Sequence, residues 1–355
     1  MPGGGMFELR RDDVTGWWVA VVVDRAYDRS RFARRADPVG NPHCANCVEP
    51  PGGGVRMRVL KQHAFSIAGP EFEPRDASRD GARDGARDGA REAPRKASLG
   101  LVADVGSWAT IVAPPEHHGP LSRESPAVLV AMLARARDAI VEARQKGETA
   151  YLQVVQNWGR QAGALTNHLC LDTYDLPQIP HRVGEELGGA ARYLIREGVC
   201  PYCRLVRDEV ARGERLVFED AASVAFAPYA SRSPFELWVV PREHEADLAR
   251  ATDAQLTSAA ETLQKVLRLL DALDGPPYNL VLHTAPLQDR VDDTYHWHWE
   301  IHPRLREIAG LELGTVLPVN PISPEEAVTD LLAAAGLAEG GRSRRPVAAW
   351  DRDGA

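Results

Sequence analysis

Cysteine is scarce in this chain, with five in 355 residues, and aromatic residues make up only 6% of it. So few cysteines exclude a disulfide-stapled scaffold, which needs a dense set. No uninterrupted apolar run approaches the roughly 18–20 residues of a membrane-spanning helix. A basic surplus is missing too. The net charge is −8 and the pI near 5.8, which argues against a general nucleic-acid binder and leaves room only for a local basic pocket. The opening residues, MPGGGMFELRRDD, lack the apolar segment of a signal peptide. The expectation is a cytoplasmic protein with no membrane and no nucleic-acid partner. In that compartment paired cysteines hold metal more often than they form disulfides.

What is present is concentrated. Four of the five cysteines fall into two Cys-x-x-Cys pairs, and two widely spaced histidines follow each pair. The first set is Cys44, Cys47, His117 and His168; the second is Cys200, Cys203, His244 and His296. The two histidines stand 51 residues apart in the first set and 52 in the second. Two thiolates and two imidazoles suit a closed tetrahedral zinc site. The repetition predicts a duplicated unit with two zinc ions per chain, one in each half. A redox pair is the competing reading of each Cys-x-x-Cys.

Residues 76–96 carry the tetrad Arg-Asp-Gly-Ala three times. Alternating charge with regular glycine offers no apolar face, so a disordered insertion is expected at about 74–98. It accounts for the main mismatch between the halves: Cys47 to His117 is 70 residues, Cys203 to His244 only 41. The expected division is an N-terminal half at 1–190, a C-terminal half at 191–338 and a disordered tail at 339–355.

The remainder alternates strands and helices. Strands are expected at 17–23, 108–112, 151–156, 235–240, 279–283 and 296–301, and helices at 125–145 and 252–273. The order strand, Pro-His turn, helix, strand, turn, His-bearing strand thus occurs twice. This fits an α+β fold with mostly antiparallel pairing.

Two stretches carry candidate chemistry. In YHWHWEIHPR at 295–304, alternation places His296, His298 and Glu300 on one face of a strand, and Trp297, Trp299 and Ile301 on the other. Histidine is suited to act near neutral pH as ligand, nucleophile or proton carrier. In the first half, His168, Cys170 and Asp172 alternate in the same way. Just before them, Asn157, Gly159 and Gly163 mark a bent loop whose amides could face a phosphate. An ordinary turn is the competing reading.

With these motifs in view, the chain resembles the galactose-1-phosphate uridylyltransferase family of the histidine-triad superfamily. The resemblance runs through Cys44-x-x-Cys47, Pro115-Glu116-His117, Asn157-x-Gly159, Cys200-Pro-Tyr-Cys203, Pro241-Arg242-Glu243-His244, the 295–304 stretch and the closing GLELGT and NPISP segments. It is closer in the second half and poor between Val55 and Gly106. It implies two histidine-triad-like halves forming one antiparallel half-barrel sheet with flanking helices, usually as a homodimer. It also implies structural zinc on the eight ligands named above, and nucleotidyl transfer between a nucleotide sugar and a sugar phosphate. In the family, a second histidine two residues after the zinc ligand attacks the α-phosphorus, and a glutamine two residues later steadies the phosphoryl group. Here those positions are Cys170 and Asp172, and Leu165 replaces a small hydroxyl residue, while Asn157 and Gly163 remain. Three readings stay open: Cys170 as nucleophile, an active site in the second half using His298 and Glu300, or a non-catalytic nucleotide-binding homologue.

Overall fold

The computed structural model describes residues 7–22, 54–68, 101–114 and 119–337. Cys44, Cys47, His117, the expected insertion and the expected tail lie outside the described residues.

An N-terminal hairpin of β1 (Phe7–Arg11) and β2 (Trp18–Val22) opens the fold. Its turn is tied by Asp12, whose Oδ1 accepts from the amides of Val14 and Thr15 at 3.1 and 2.6 Å. Two long strands follow, β3 (Arg56–Ala68) and β4 (Leu101–Val112). Helix α1 (Pro126–Lys146) starts where Ser125 caps it with proline next in line, and stops at Gly147, which takes a left-handed φ of 68°. Then come β5 (Tyr151–Trp158) and β6 (Cys170–Leu176), followed by α2 (His181–Glu197) and α3 (Pro201–Arg212). The second half continues through β7 (Leu216–Glu219), β8 (Ser223–Phe226) and β9 (Leu237–Pro241). Helix α4 (Asp253–Asp271) opens with a capping box between Thr252 and Gln255. The chain closes with β10 (Tyr278–His283), β11 (His298–Pro303), α5 (Gly310–Thr315), β12 (Val319–Asn320) and α6 (Pro324–Ala334).

Nine strands form one antiparallel sheet in the order β3-β4-β6-β5-β10-β11-β9-β8-β7, and the two halves meet where β5 pairs β10. The expected α+β architecture with a large antiparallel sheet is therefore present. The strand expected at 17–23 is not part of it. It pairs with β1 and, in parallel, with β12 in a separate three-stranded sheet. Two boundaries also move. Phe235 has a φ of 58°, which breaks extended backbone, so β9 begins at Leu237. His296 precedes β11, because the Trp297 amide turns aside to the carbonyl of Glu245 at 2.9 Å.

One side of the sheet is packed along its central length. Leu129, Met132, Leu133 and Ile140 of α1 and Leu256, Leu263, Leu267 and Leu270 of α4 join Val154, Leu171, Leu280, Trp299 and Ile301 in one apolar core. The other side is treated unequally. In the second half, Ala190 of α2, Tyr202 and Val206 of α3 and Val14 of the hairpin turn cover Phe226, Trp238 and Val240. In the first half, Val155 and Asn157 of β5 and Cys170, Asp172 and Tyr174 of β6 remain half-buried.

Candidate active site and metal centre

Pairing puts the candidate residues on shared rows. Asp172 stands opposite Thr110 on β4 and Val155 on β5; Val155 stands opposite Val281, and Val281 opposite Glu300. Paired residues point to the same face, so Asp172 and Glu300 occupy mirror positions across the β5–β10 seam. Cys170 is two residues before Asp172 and His298 two before Glu300, so the same correspondence holds for them.

The first-half face is partly open. Trp108 stacks on Tyr174 at 5.7 Å between ring centroids and makes one wall. Burial raises the Asp172 carboxyl above its usual range, and the Trp108 and Thr110 side chains only partly offset this. Next to it, Gly159 and Gly163 adopt φ of 82° and 83°, which lets the loop fold back on itself. The amides of Ala162 and Ala164 both donate to the Gly159 carbonyl, at 3.1 and 3.2 Å. Asn279 of β10 reaches across the seam: its Nδ2 donates to Asn157 Oδ1 at 2.6 Å and to the Ala162 carbonyl at 2.8 Å. Leu165 projects from this loop with 69% of its surface exposed. The structure thus brings Cys170 and Asp172 onto one face, with Asn157 and Gly163 at its edge.

The mirror face is closed. His298 and Glu300 have no exposed surface. Arg182 of α2 donates from Nη2 to both Glu300 oxygens at 2.5 and 2.7 Å, and Arg232 donates to Oε2 at 2.8 Å. His302 lies 2.9 Å and His283 3.3 Å from the same oxygen. His283 also pairs with buried Glu186 at 2.9 Å, and Tyr295 donates to Glu186 at 2.7 Å. His298 is sandwiched between the rings of Trp238 and His283, each 4.9 Å away. Burial opposes charge on Glu300, but Arg182, Arg232 and His283 outweigh it and hold the carboxyl well below its usual range. Burial likewise pulls His283 down, but Glu186 and Glu300 push it up to about 9. Burial leaves His298 below its ordinary value.

The hairpin turn seals this cluster. Asp12, Thr15 and Trp17 line a residual cavity of about 20 Å³ with Arg182, Arg232 and Trp238, room for about one water. The seal depends on Gly189 of α2, where a Cβ would fall 1.6 Å from the Val14 carbonyl oxygen.

Sequence reasoning missed Arg182, Glu186, Arg232, Glu236 and His283. Arg182 and Glu186, and Arg232 and Glu236, are each four residues apart, a readable pairing signal. Nothing in the sequence links either pair to Glu300. Arg242, beside His244 in sequence, pairs with the Glu219 carboxylate and donates to the Asp220 carbonyl at 2.7 Å.

Away from the open face, Cys200, Cys203, His244 and His296 converge, with their candidate ligand atoms all within 4.8 Å of one another. Cys200 caps α3 and Cys203 lies in its first turn, where the helix dipole favours thiolate. Cys203 Sγ is 3.3 Å from His244 Nδ1 and 3.7 Å from His296 Nδ1. Metal bonds of about 2.1–2.3 Å in a tetrahedron place ligands about 3.4–3.8 Å apart, so these spacings fit. The outer nitrogens are also arranged for it. His244 Nε2 meets the Asp292 carbonyl at 2.6 Å and His296 Nε2 the Pro241 carbonyl at 3.0 Å. A carbonyl only accepts, so Nε2 carries the proton and Nδ1 is left with its lone pair for a metal. His168 repeats this: its Nε2 meets the Ala113 carbonyl at 2.9 Å, at the same sequence separation of 55 residues as His296 and Pro241. Two other ligand-like groups, His283 with His298 and Glu300, and Glu236 with Glu300 and His302, fall inside the ionic cluster. There the Glu300 oxygens already serve Arg182 and Arg232. No helix among the described residues is long and apolar enough to cross a membrane.

Comparison with known proteins agrees with this geometry. Residues 186–315 match the family described as galactose-1-phosphate uridyl transferase, C-terminal domain. An ADP-glucose phosphorylase of Arabidopsis thaliana is 26% identical over 328 residues, covering 90% of both chains. The structure of an Arabidopsis thaliana ADP-glucose phosphorylase with bound ADP-glucose shares the fold at a TM-score of 0.69 and 24% identity, over 92% of this chain and 98% of that one. A uridylyltransferase structure superimposes at a TM-score of 0.67 and 26% identity, covering 93% of this chain and 99% of the other. The matched second half and the relatives that cover about nine-tenths of the chain together support a divergent, nucleotidyltransferase-like member of the galactose-1-phosphate uridylyltransferase family.

Proposed function

We propose that this protein binds a nucleotide sugar or sugar phosphate on the first-half face and carries out nucleotidyl transfer there, with Cys170 as the attacking group. The observation that carries this is the contrast between the two mirror faces: Cys170 and Asp172 are half-buried beside a folded glycine loop, whereas His298 and Glu300 are sealed. This favours the first half over His298 and Glu300 as the reactive site.

The chemistry balances as two in-line steps. The Cys170 thiolate attacks the α-phosphorus, the bond from that phosphorus to the bridging oxygen breaks, and sugar 1-phosphate leaves. A second sugar 1-phosphate, or phosphate, then attacks the same phosphorus and the thiolate departs. Asp172 lies on the same face, where burial raises its carboxyl and so weakens its opposition to a phosphate. Asn157 supplies a neutral donor, on the strand that leads into the loop ending at Gly163. Zinc on Cys200, Cys203, His244 and His296, and in the first half on Cys44, Cys47, His117 and His168, has a structural part: it fixes the strand and helix ends. The two halves, 1–190 and 191–338, work as one unit, in a cytoplasmic homodimer.

ADP-glucose and UDP-glucose labelled at the α-phosphate test this directly. Protein-bound label that disappears in Cys170→Ala supports the thiol. Bound nucleotide sugar without label or turnover supports the second reading, a zinc-stabilised binding protein without transfer chemistry, which the loss of histidine at position 170 favours. Neither label nor binding overturns both. Elemental analysis should find about two zinc per chain; one or none would undo the paired-site reading.

A further inference from the structure

The hydrogen bonds from Asn279 have a consequence for what the open face can bind. The Ala162 carbonyl can only accept, so the atom of Asn279 facing it is the amide nitrogen, Nδ2. That same nitrogen faces the Asn157 side chain at 2.6 Å, so the Asn157 atom it meets is the acceptor, Oδ1. One backbone carbonyl thereby sets the orientation of two amides in series. The remaining end of Asn157, its NH₂ group, has no acceptor among the described residues. Asn157 is two residues beyond Val155, which stands opposite Asp172, so its side chain shares the face of Asp172 and Cys170.

We propose that Asn279, contributed by the second half, is a positioning residue that holds the Asn157 NH₂ toward the open face as a donor for an anionic oxygen of the ligand. This rests on the reading of that face as a nucleotide-sugar site. It deepens that reading by making donor polarity, rather than positive charge, the means of recognising phosphate. Asn157 with its oxygen turned toward the open face would repel phosphate; with that oxygen held on Asn279, the end facing the ligand can only donate. The link also makes the first-half site depend on a strand of the second half, since Asn157 and Asn279 are direct partners across the β5–β10 seam.

Three variants test it: Asn279→Ala, which frees the Asn157 amide; Asn279→Asp, whose carboxylate draws the Asn157 NH₂ inward; and Asn157→Ala as reference. Affinity for ADP-glucose and for adenosine is measured by calorimetry on the full chain. Asn279→Asp should weaken ADP-glucose about tenfold or more, Asn279→Ala by less, and neither should change adenosine binding. In the Asn157→Ala background, Asn279→Asp should cost nothing further, since it acts through Asn157. Equal loss for adenosine and ADP-glucose, or an undiminished cost in that background, would overturn the positioning role. Side-chain amide exchange by NMR decides the matter without ligand: both Asn279 protons should be protected and both Asn157 protons fast, with slowed Asn157 exchange in Asn279→Asp. If the wild type binds neither nucleotide sugar, the functional reading fails, while this exchange pattern still upholds or overturns the arrangement.

Discussion

Asp172 and Glu300 lie on one row of one sheet, separated only by Val155 and Val281 and by three strand spacings, about 14 Å. One belongs to a half-open face; the other has no exposed surface at all. The backbone kept its symmetry down to the His168–Ala113 and His296–Pro241 hydrogen bonds. What differs is the covering. Helices α2 and α3 and the N-terminal hairpin close the second face, and Arg182 and Arg232 neutralise the carboxylate trapped beneath them. The duplicated fold thus offers two equivalent troughs and fills one of them.

The largest test of this contrast is charge removal on each side. Glu300→Gln removes the buried carboxylate that Arg182 and Arg232 share, leaving them only Glu186 and Glu236, and should destabilise the fold by about 3–5 kcal/mol in urea unfolding. Asp172→Asn, at the mirror position, should stay within about 1 kcal/mol of wild type. Equal costs would break the comparison.

A pH series sharpens it next. The unfolded His283 titrates at its ordinary value of 6.5; in the folded chain burial pulls it down, but Glu186 and Glu300 outweigh this and push it up to about 9. The folded chain therefore holds a proton that the unfolded chain releases. The resulting stabilisation is complete below pH 6.5 and is lost as pH rises toward 9, about 3 kcal/mol over the window. Glu300→Gln should flatten that slope; an unchanged slope would place its source outside the cluster.

Gly189→Ala is the smallest and most local test. The new methyl meets the Val14 carbonyl and should lift the hairpin from α2, at about 1–3 kcal/mol. Hydrogen exchange should rise in β1 and β2 while the affinity of the first-half face stays unchanged. Loss of ligand affinity would show that the two faces are coupled through the hairpin.

Much of the scaffold was readable in advance. The capping box of Thr252 and Gln255 and the leucines after it marked α4, and Ser125 with Pro126 marked α1. The repeated spacing of cysteines and histidines groups Cys200, Cys203, His244 and His296, and these four converge in the structure. Alternation also identified the polar face of β11. It could not say whether that face met solvent or other charges, because period-two patterning reports direction along a strand and not what lies opposite. Strand 17–23 was recognised as a strand but its sheet was not, since its partners β1 and β12 stand at opposite ends of the chain.

The sequence alone determined the local elements, the duplication, the candidate ligands and the replacement of the family's histidine by Cys170. These depend on residue type and near-neighbour spacing. Tertiary structure alone decided which trough stays open, that Arg182 and Arg232 sit on Glu300, and that Asn279 turns Asn157. These contacts join residues 68 to 122 positions apart. Their geometry is set by strand order and helix packing, which no local pattern encodes.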